Sequence, residues 1–310
     1  MALISTARLL PAGRVEMGVL DLLHWSVRLD SESVAEARLD ARSSSGVASI
    51  SGRLRGPYCE YARTLAADFP FANTEPAEGG TAAATAGVYD LCCWSPAMPF
   101  QYELQAQVCL DDGTTEELLT RVCLRQWHVD GPSFRLQRKR TVLRGAALAE
   151  SVADIESAHR AEACLLLNDP TEAVCSEADR LGVGLLANLT AIREEWIEVS
   201  RRLDWHDSVL LTVVTPEQAA SDYRPERSFV AVIARMSDEQ AKVLGCRPDA
   251  VVFEVPLGET PPLWAIECGL PVLAIRPGVG CDDAAEARAA SDRLQAELAP
   301  EFDLAGYFVV

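Results

Sequence analysis

A carboxylate that moves protons or attacks a substrate must be held at the mouth of a pocket, and the sequence offers two glutamates in such a place. Val209-Leu210-Leu211-Thr212-Val213-Val214 is an apolar run of strand length, closed by Thr215-Pro216, with Glu217 just beyond. In a βα-barrel the residue past the carboxyl end of a strand faces the active-site mouth, which makes Glu217 the first candidate for acid–base chemistry. The structural alternative is a first-turn carboxylate of the helix that Pro216 opens, favoured there by the helix dipole. Glu254 closes a second apolar run, Ala250 to Val255, and is either a second reactive carboxylate or a rim residue. Arg276-Pro277-Gly278-Val279-Gly280 follows a third run and offers different chemistry, because loops after the last barrel strands often bind phosphate. Asp282-Asp283, at the start of the next helix, would repel such a ligand.

The elements that would position these groups alternate between strand and helix. After a hairpin or strand pair over Phe134 to Leu143, helices are expected over Ser151–Ala161 (with Ser151 as N-cap), from Asn168-Asp169-Pro170-Thr171 to Leu181, and over Ile192–Leu203. Further helices are expected over Ser237–Leu244, Leu263–Cys268 and Asp283–Leu298. Between them lie short, nearly continuous apolar runs: Ala163–Leu167, Val183–Ala187, Val209–Val214, Phe229–Ala234, Ala250–Val255, Val272–Ile275 and Ala305–Val310. Strands buried on both faces, alternating with helices, form a parallel sheet with the helices outside. Counting from the Phe134 segment gives eight strands, the number of a (β/α)8 barrel. Residues 134–310 are compact for that barrel, which typically takes about 250 residues, so short loops leave little material for a deep pocket.

Residues 1–133 follow a different period. Val15–Leu23, Ala35–Ala41, Val47–Leu54, Thr81–Trp94, Phe100–Leu110 and Glu116–Trp127 alternate as half-buried strands do. Ser43-Ser44-Ser45-Gly46, Glu78-Gly79-Gly80, Ser95-Pro96 and Asp111-Asp112-Gly113 supply the turns. This spacing is that of an immunoglobulin-like β-sandwich. The fold expected is thus an all-β sandwich over 1–133 followed by a reduced (β/α)8 TIM barrel over 134–310.

Composition narrows the partners. The 310 residues carry 28 Lys+Arg against 46 Asp+Glu, a net charge of −18. Such a surface repels phosphate backbones and anionic headgroups, so neither nucleic acid nor a membrane surface is an expected partner. No apolar run reaches the roughly 20 residues of a membrane span, and residues 1–10 lack the basic start of a signal peptide, so a cytoplasmic location is expected. The ten cysteines include no C-x-x-C and mostly sit among apolar neighbours, as in Val108-Cys109-Leu110. They read as small hydrophobes in a reducing compartment; no metal and no cofactor is expected. The six tryptophans are spread along the chain and suit core packing better than a sugar platform.

Six segments carry a family resemblance. Trp94-Ser95-Pro96-Ala97-Met98-Pro99-Phe100-Gln101-Tyr102-Glu103-Leu104 resembles the W-S-P-x-x-P-x-L-Y-x-L strand of glycoside hydrolase family 2, the family of β-galactosidases, β-glucuronidases and β-mannosidases. Val122-Cys123-Leu124-Arg125 is similar to that family's v-G-f-R strand, and Phe134 to Gly145 to its f-x-l-N-G-k-p-v-x-l-r-G segment before the barrel. Ser176 to Val183 resembles x-x-x-a-D-x-L-G-i, His206-Asp207-Ser208-Val209 stands where the family has H-P-S-v, and Leu304 to Val310 resembles its eighth strand. The six occur in family order over residues 90–310, and the family's N-terminal jelly-roll domain finds no counterpart. The resemblance implies retaining glycosidase chemistry, which needs an acid/base and a nucleophile, two carboxylates about 5–5.5 Å apart. It puts Glu217 at the acid/base, with Pro216 replacing the sugar-contacting asparagine, and Arg276 at the nucleophile, where a guanidinium forms no glycosyl ester. The family's N-x-x-H becomes Ala146-Ala147-Leu148-Ala149, and its R-x-x-H-x-P becomes Leu165-Leu166-Leu167-Asn168-Asp169-Pro170. An inactive family-2-like protein that binds carbohydrate or another protein is therefore expected. The alternatives are an active retaining β-glycosidase using Glu217, with Glu254 a weaker second carboxylate, and a phosphate-ligand barrel using Arg276.

Overall fold

The computed structural model describes residues 4–5, 20, 22–31, 33–74, 80–148 and 152–310. The chain divides into two compact units, Met1–Trp94 with Met98–Leu124, and Ser95–Ala97 with Arg125–Val310.

The first unit is built from strands β1 (Ile4–Ser5), β2 (Leu22–Leu29), β3 (Val34–Arg42), β4 (Val47–Tyr58), β5 (Ala67–Pro70), β6 (Ala72–Asn73), β7 (Thr81–Tyr89), β8 (Gln101–Leu110) and β9 (Thr115–Val122). They form a five-stranded sheet in the order β1-β9-β8-β4-β5 and a four-stranded sheet in the order β2-β3-β7-β6. Alternation in the sequence fixes which side of each strand is buried: Ala35, Ala37, Leu39 and Ala41 of β3, and Leu104, Ala106, Val108 and Leu110 of β8, are all nearly inaccessible. Trp25 and Trp94 are buried with them. The sandwich expected from the period of two is present.

Several boundaries differ from the sequence reading. The first long strand starts at Leu22, and the part of that run over residues 15–19 lies outside the described residues. The run Thr81–Trp94 stops pairing at Tyr89, and Glu116–Trp127 stops at Val122. Beyond those points Trp94 N–H donates to the Leu124 carbonyl at 2.7 Å.

The second unit opens with β10 (Trp127–Asp130), β11 (Ser133–Leu136) and β12 (Lys139–Thr141), a three-stranded antiparallel sheet. The hairpin over Phe134–Thr141 is real, but it is not the first barrel strand. That strand is β13 (Leu143–Ala146), followed by α1 (Val152–Arg160), β14 (Cys164–Asn168), α2 (Glu172–Leu181), β15 (Leu185–Asn188), α3 (Trp196–Leu203) and β16 (Val209–Val214). Then come α4 (Pro216–Ala219), β17 (Phe229–Ala234), α5 (Gln240–Leu244), β18 (Ala250–Glu254), α6 (Trp264–Glu267), β19 (Val272–Arg276), α7 (Ala284–Leu298) and β20 (Gly306–Val309). Strands β13 to β20 close in sequence order into an eight-stranded parallel barrel, β20 pairing back onto β13. Outward-facing strand residues such as Leu165, Val232, Phe253 and Ala274 share one apolar cluster with helix residues Ile155, Val174, Leu203 and Leu294.

Helix ends follow local chemistry. Gly182 stops α2 in the left-handed conformation (φ 79°) and returns its N–H to the Ala178 carbonyl, as a glycine just past a helix does. Two helices begin later than the sequence suggests. Segment 189–192 is a turn whose Leu189 carbonyl accepts from Gln218 Nε2 at 3.0 Å, so α3 starts at Trp196 rather than Ile192. Asp238 closes a turn on Arg235 N–H at 2.8 Å, so α5 starts at Gln240 and Ser237 caps nothing. The proposed Ser151 cap of α1 lies outside the described residues.

Candidate functional site

The carboxyl ends of the barrel strands are where a site belongs, and each candidate there has a defined place. Glu217 lies in the first turn of α4, a single turn held by a capping box. Thr215 Oγ1 accepts from Gln218 N–H at 3.3 Å, and Gln218 Oε1 accepts from Thr215 N–H at 2.7 Å. Gln218 Nε2 then reaches back to the Leu189 and Ile192 carbonyls. Its neighbour Glu217 is exposed. Its own backbone N–H and the Thr215 hydroxyl hold its carboxyl below the usual range. A general acid needs the opposite shift.

Arg276 ends β19 and is only 6% exposed. Val272 and Ala274, four and two residues before it, pack in the cluster that contains Leu294 and Leu298 of α7. Strand alternation therefore turns Arg276 to the helix layer as well. Its guanidinium holds Glu297 of α7 through Nη1 at 2.6 Å and Nη2 at 3.0 Å, while Nε donates to the Val255 carbonyl at 3.3 Å. Arg276 is thus paired with Glu297, whose carboxyl it holds below its usual range. Glu254 closes β18, is exposed, and sits beside Ile275 in the ladder.

Other polar groups on this rim are bound to one another. Asn188 Nδ2 donates to Asn168 Oδ1 at 2.8 Å, and Asn188 Oδ1 accepts from Thr190 Oγ1 at 2.8 Å. Asp169 pairs with Arg202 at 2.8 Å. The first turn of α7, next to the glycines after Arg276, is filled by its own carboxylates. Asp283 accepts from Glu286 N–H at 2.8 Å, and Glu286 accepts from Asp282 N–H at 3.0 Å. Among the described residues no group of three or more His, Cys, Asp or Glu is arranged to hold a metal ion. All ten cysteines are free thiols.

The densest polar constellation lies at the other end of the strands, before β16 and β17, and sequence reasoning did not single it out. His206, 3% exposed, has Nδ1 at 2.6 Å from Asp179 Oδ2 and Nε2 at 2.8 Å from Glu172 Oε1. Glu172 and Asp179 stand seven residues apart on one face of α2, two turns of helix. Asp179 Oδ1 also accepts from Ser208 N–H at 2.7 Å. Burial alone would lower the affinity of His206 for its proton. The Asp179 charge and hydrogen bond, with Glu172 added, outweigh burial and push the pKa up to about 9.

One residue on, Asp207 accepts two bonds from Arg227 Nη2, both at 2.6 Å, and Arg125 Nε lies 3.7 Å from it. The Arg125 guanidinium also donates to the carbonyls of Asp207, Val209 and Arg227. Asp204 takes the backbone N–H groups of Glu226, Arg227 and Ser228. A barrel's amino-terminal face serves stability, and these groups are bound chiefly to one another and to backbone. The signal that could have found them was present: Arg125, Asp179 and His206 all fall in motifs that carried the family resemblance.

Fold and site together define a class: an immunoglobulin-like sandwich joined to a (β/α)8 barrel, with Glu217 and Glu254 exposed at the carboxyl ends of its strands. No protein-family model matches the chain, and no curated protein sequence does. Solved structures do match in fold. A glycosyl hydrolase family 2 member from Bacteroides cellulosilyticus is similar at TM-score 0.65 and 14% identity, over 94% of this chain and 45% of that one. Bifidobacterium dentium β-glucuronidase, complexed with coumarin-3-O-glucuronide, is similar at TM-score 0.63 and 14% identity, over 94% and 60%. The β-D-glucuronidase of Dictyoglomus thermophilum is similar at 0.61 and 12%, over 94% and 61%. The chain spans from under half to about three fifths of the length of these proteins. No helix of the described residues is long and apolar enough to cross a membrane.

Proposed function

We propose that this chain is a glycoside hydrolase family 2-like protein that does not hydrolyse glycosides and serves in binding or scaffolding, with carbohydrate or another protein as partner. The observation that carries the reading is Arg276. At the position the family resemblance assigns to the nucleophile, a buried guanidinium faces the helix layer and is taken up by Glu297. The retaining mechanism needs a second carboxylate about 5–5.5 Å from the acid/base. Support also comes from Glu217, which is exposed and acidic rather than buried and raised.

Hydrolysis of a panel of aryl β-glycosides, β-glucuronides included, tests this reading. The expected result is release of the aryl group at the rate seen in buffer. Turnover that Glu217→Gln abolishes would overturn it and establish an active glycosidase.

A further inference from the structure

The outer face of the five-stranded sheet holds a depression of about 740 Å³, within the range of roughly 300–1,000 Å³ typical of small-molecule sites. Strand register arranges its lining in two cross-strand rows. One row is Pro70, Arg53, Gln105 and Leu119; the other is Ser51, Gln107 and Glu117. Between them Gly52, Ala106 and Leu118 form the floor. Gly52 has φ +144°, and a Cβ there would lie 2.0 Å from the Gln105 carbonyl oxygen, so only glycine fits.

The rows are aligned before any ligand arrives. Arg53 Nε donates to Gln105 Oε1 at 3.0 Å, Gln105 Nε2 to Glu103 Oε1 at 3.1 Å, and Gln107 Nε2 to Glu117 Oε1 at 3.5 Å. Each carboxamide both donates and accepts, as a hydroxyl does. Asp68, 3.5 Å from Arg53, and Glu117 set two carboxylates in the lining against one guanidinium. That balance accepts hydrogen bonds from hydroxyl groups and repels an anion. Leu119, 41% exposed, gives the β9 end of the first row an apolar side chain on which the C–H face of a pyranose can rest, and Pro70 closes the opposite end.

We infer that this trough binds a neutral oligosaccharide, held by hydroxyl hydrogen bonds to Arg53, Gln105, Gln107 and Glu117. The inference names a ligand for the binding role proposed above. It lies on the sandwich, not the barrel, so it stands or falls separately from the hydrolysis test.

Titration calorimetry of the full chain with cellotetraose, xylotetraose, mannotetraose and a tetragalacturonate provides the test. At least one neutral probe is expected to bind with a dissociation constant below about 1 mM. The double substitution Gln105→Ala/Gln107→Ala should weaken it about tenfold or more, a loss of roughly one to two hydrogen bonds. Ser51→Tyr, which fills the trough from an exposed position, should abolish binding, and Glu217→Gln should leave it unchanged. Circular dichroism and the thermal midpoint confirm that each variant is folded. The inference is overturned if no neutral probe binds, if the uronate binds better, or if folded Ser51→Tyr protein binds as well as the parent. It is also overturned if sedimentation shows the trough buried between two copies that Ser51→Tyr separates.

Discussion

His206 is a cation held between Asp179 and Glu172, and the stability it lends has a definite pH window. Its pKa is about 9 when folded and about 6.5 when unfolded. The contribution is complete below pH 6.5 and is lost as pH rises through 9; the difference amounts to roughly 3 kcal/mol. Denaturant midpoints of the native chain should fall between pH 6.5 and 9.5, and His206→Gln should flatten that slope while lowering stability at pH 6. An equal slope in the variant would remove His206 from the account. Arg276 makes a second case at this scale. Arg276→Glu restores the residue type the family nucleophile needs, yet it places a carboxylate against Glu297. It should produce no turnover and cost about 1–3 kcal/mol, read from urea unfolding, with Glu297 half exposed and solvent moderating the repulsion. The surroundings of Glu217 were legible because Thr215-Pro216-Glu217-Gln218 spells its own cap. Those of His206 were not: a helix face two turns long meets it only once α2 has docked.

At the scale of elements, strands with a clear period and helices with local stop signals were readable. The barrel count came out at eight because each buried strand is a short apolar run between polar helices. Where tertiary contacts set the boundary, sequence was a poor guide. The late start of α3 depends on an amide from Gln218, 26 residues from Ile192. The hairpin between β11 and β12 was expected as a hairpin or strand pair, but the barrel count started from it, whereas the first barrel strand is β13. In the hairpin's turn Gln137 and Arg138 take φ of 49° and 65°, the two left-handed positions of a type I′ turn. Side chains there cost energy that Asn-Gly would not, and N-G is what the family resemblance has at these positions. Gln137→Asn/Arg138→Gly should therefore stabilise the protein by about 1 kcal/mol in thermal or urea unfolding. A destabilised variant would mean that contacts of these side chains outweigh the backbone strain.

For the whole molecule, the ordering of functions along the chain differs from what the barrel alone suggests. At the barrel's rim Asn168, Asn188 and Thr190 hydrogen-bond one another, and a polar, concave surface lies on the sandwich. The fold class was legible from the change of period near residue 134. A ligand site on the sheet face was not, since rows such as Arg53–Gln105–Leu119 exist only after three strands have paired in register.

Arg125 has a consequence for how the second unit comes apart. Its guanidinium binds carbonyls 82, 84 and 102 residues further along the chain, at the starts of β16 and β17. Contacts of such span form only after the strands between them have assembled, so they belong to the last stage of folding. An interaction absent from the transition state acts on the escape rate alone. Arg125→Met should speed unfolding in stopped-flow experiments by tenfold or more, about 1.4 kcal/mol, and leave the refolding rate nearly unchanged. A slowed refolding arm would instead place Arg125 in the folding nucleus. The residue is a latch on lifetime: it governs how long the barrel stays closed, not how quickly it closes.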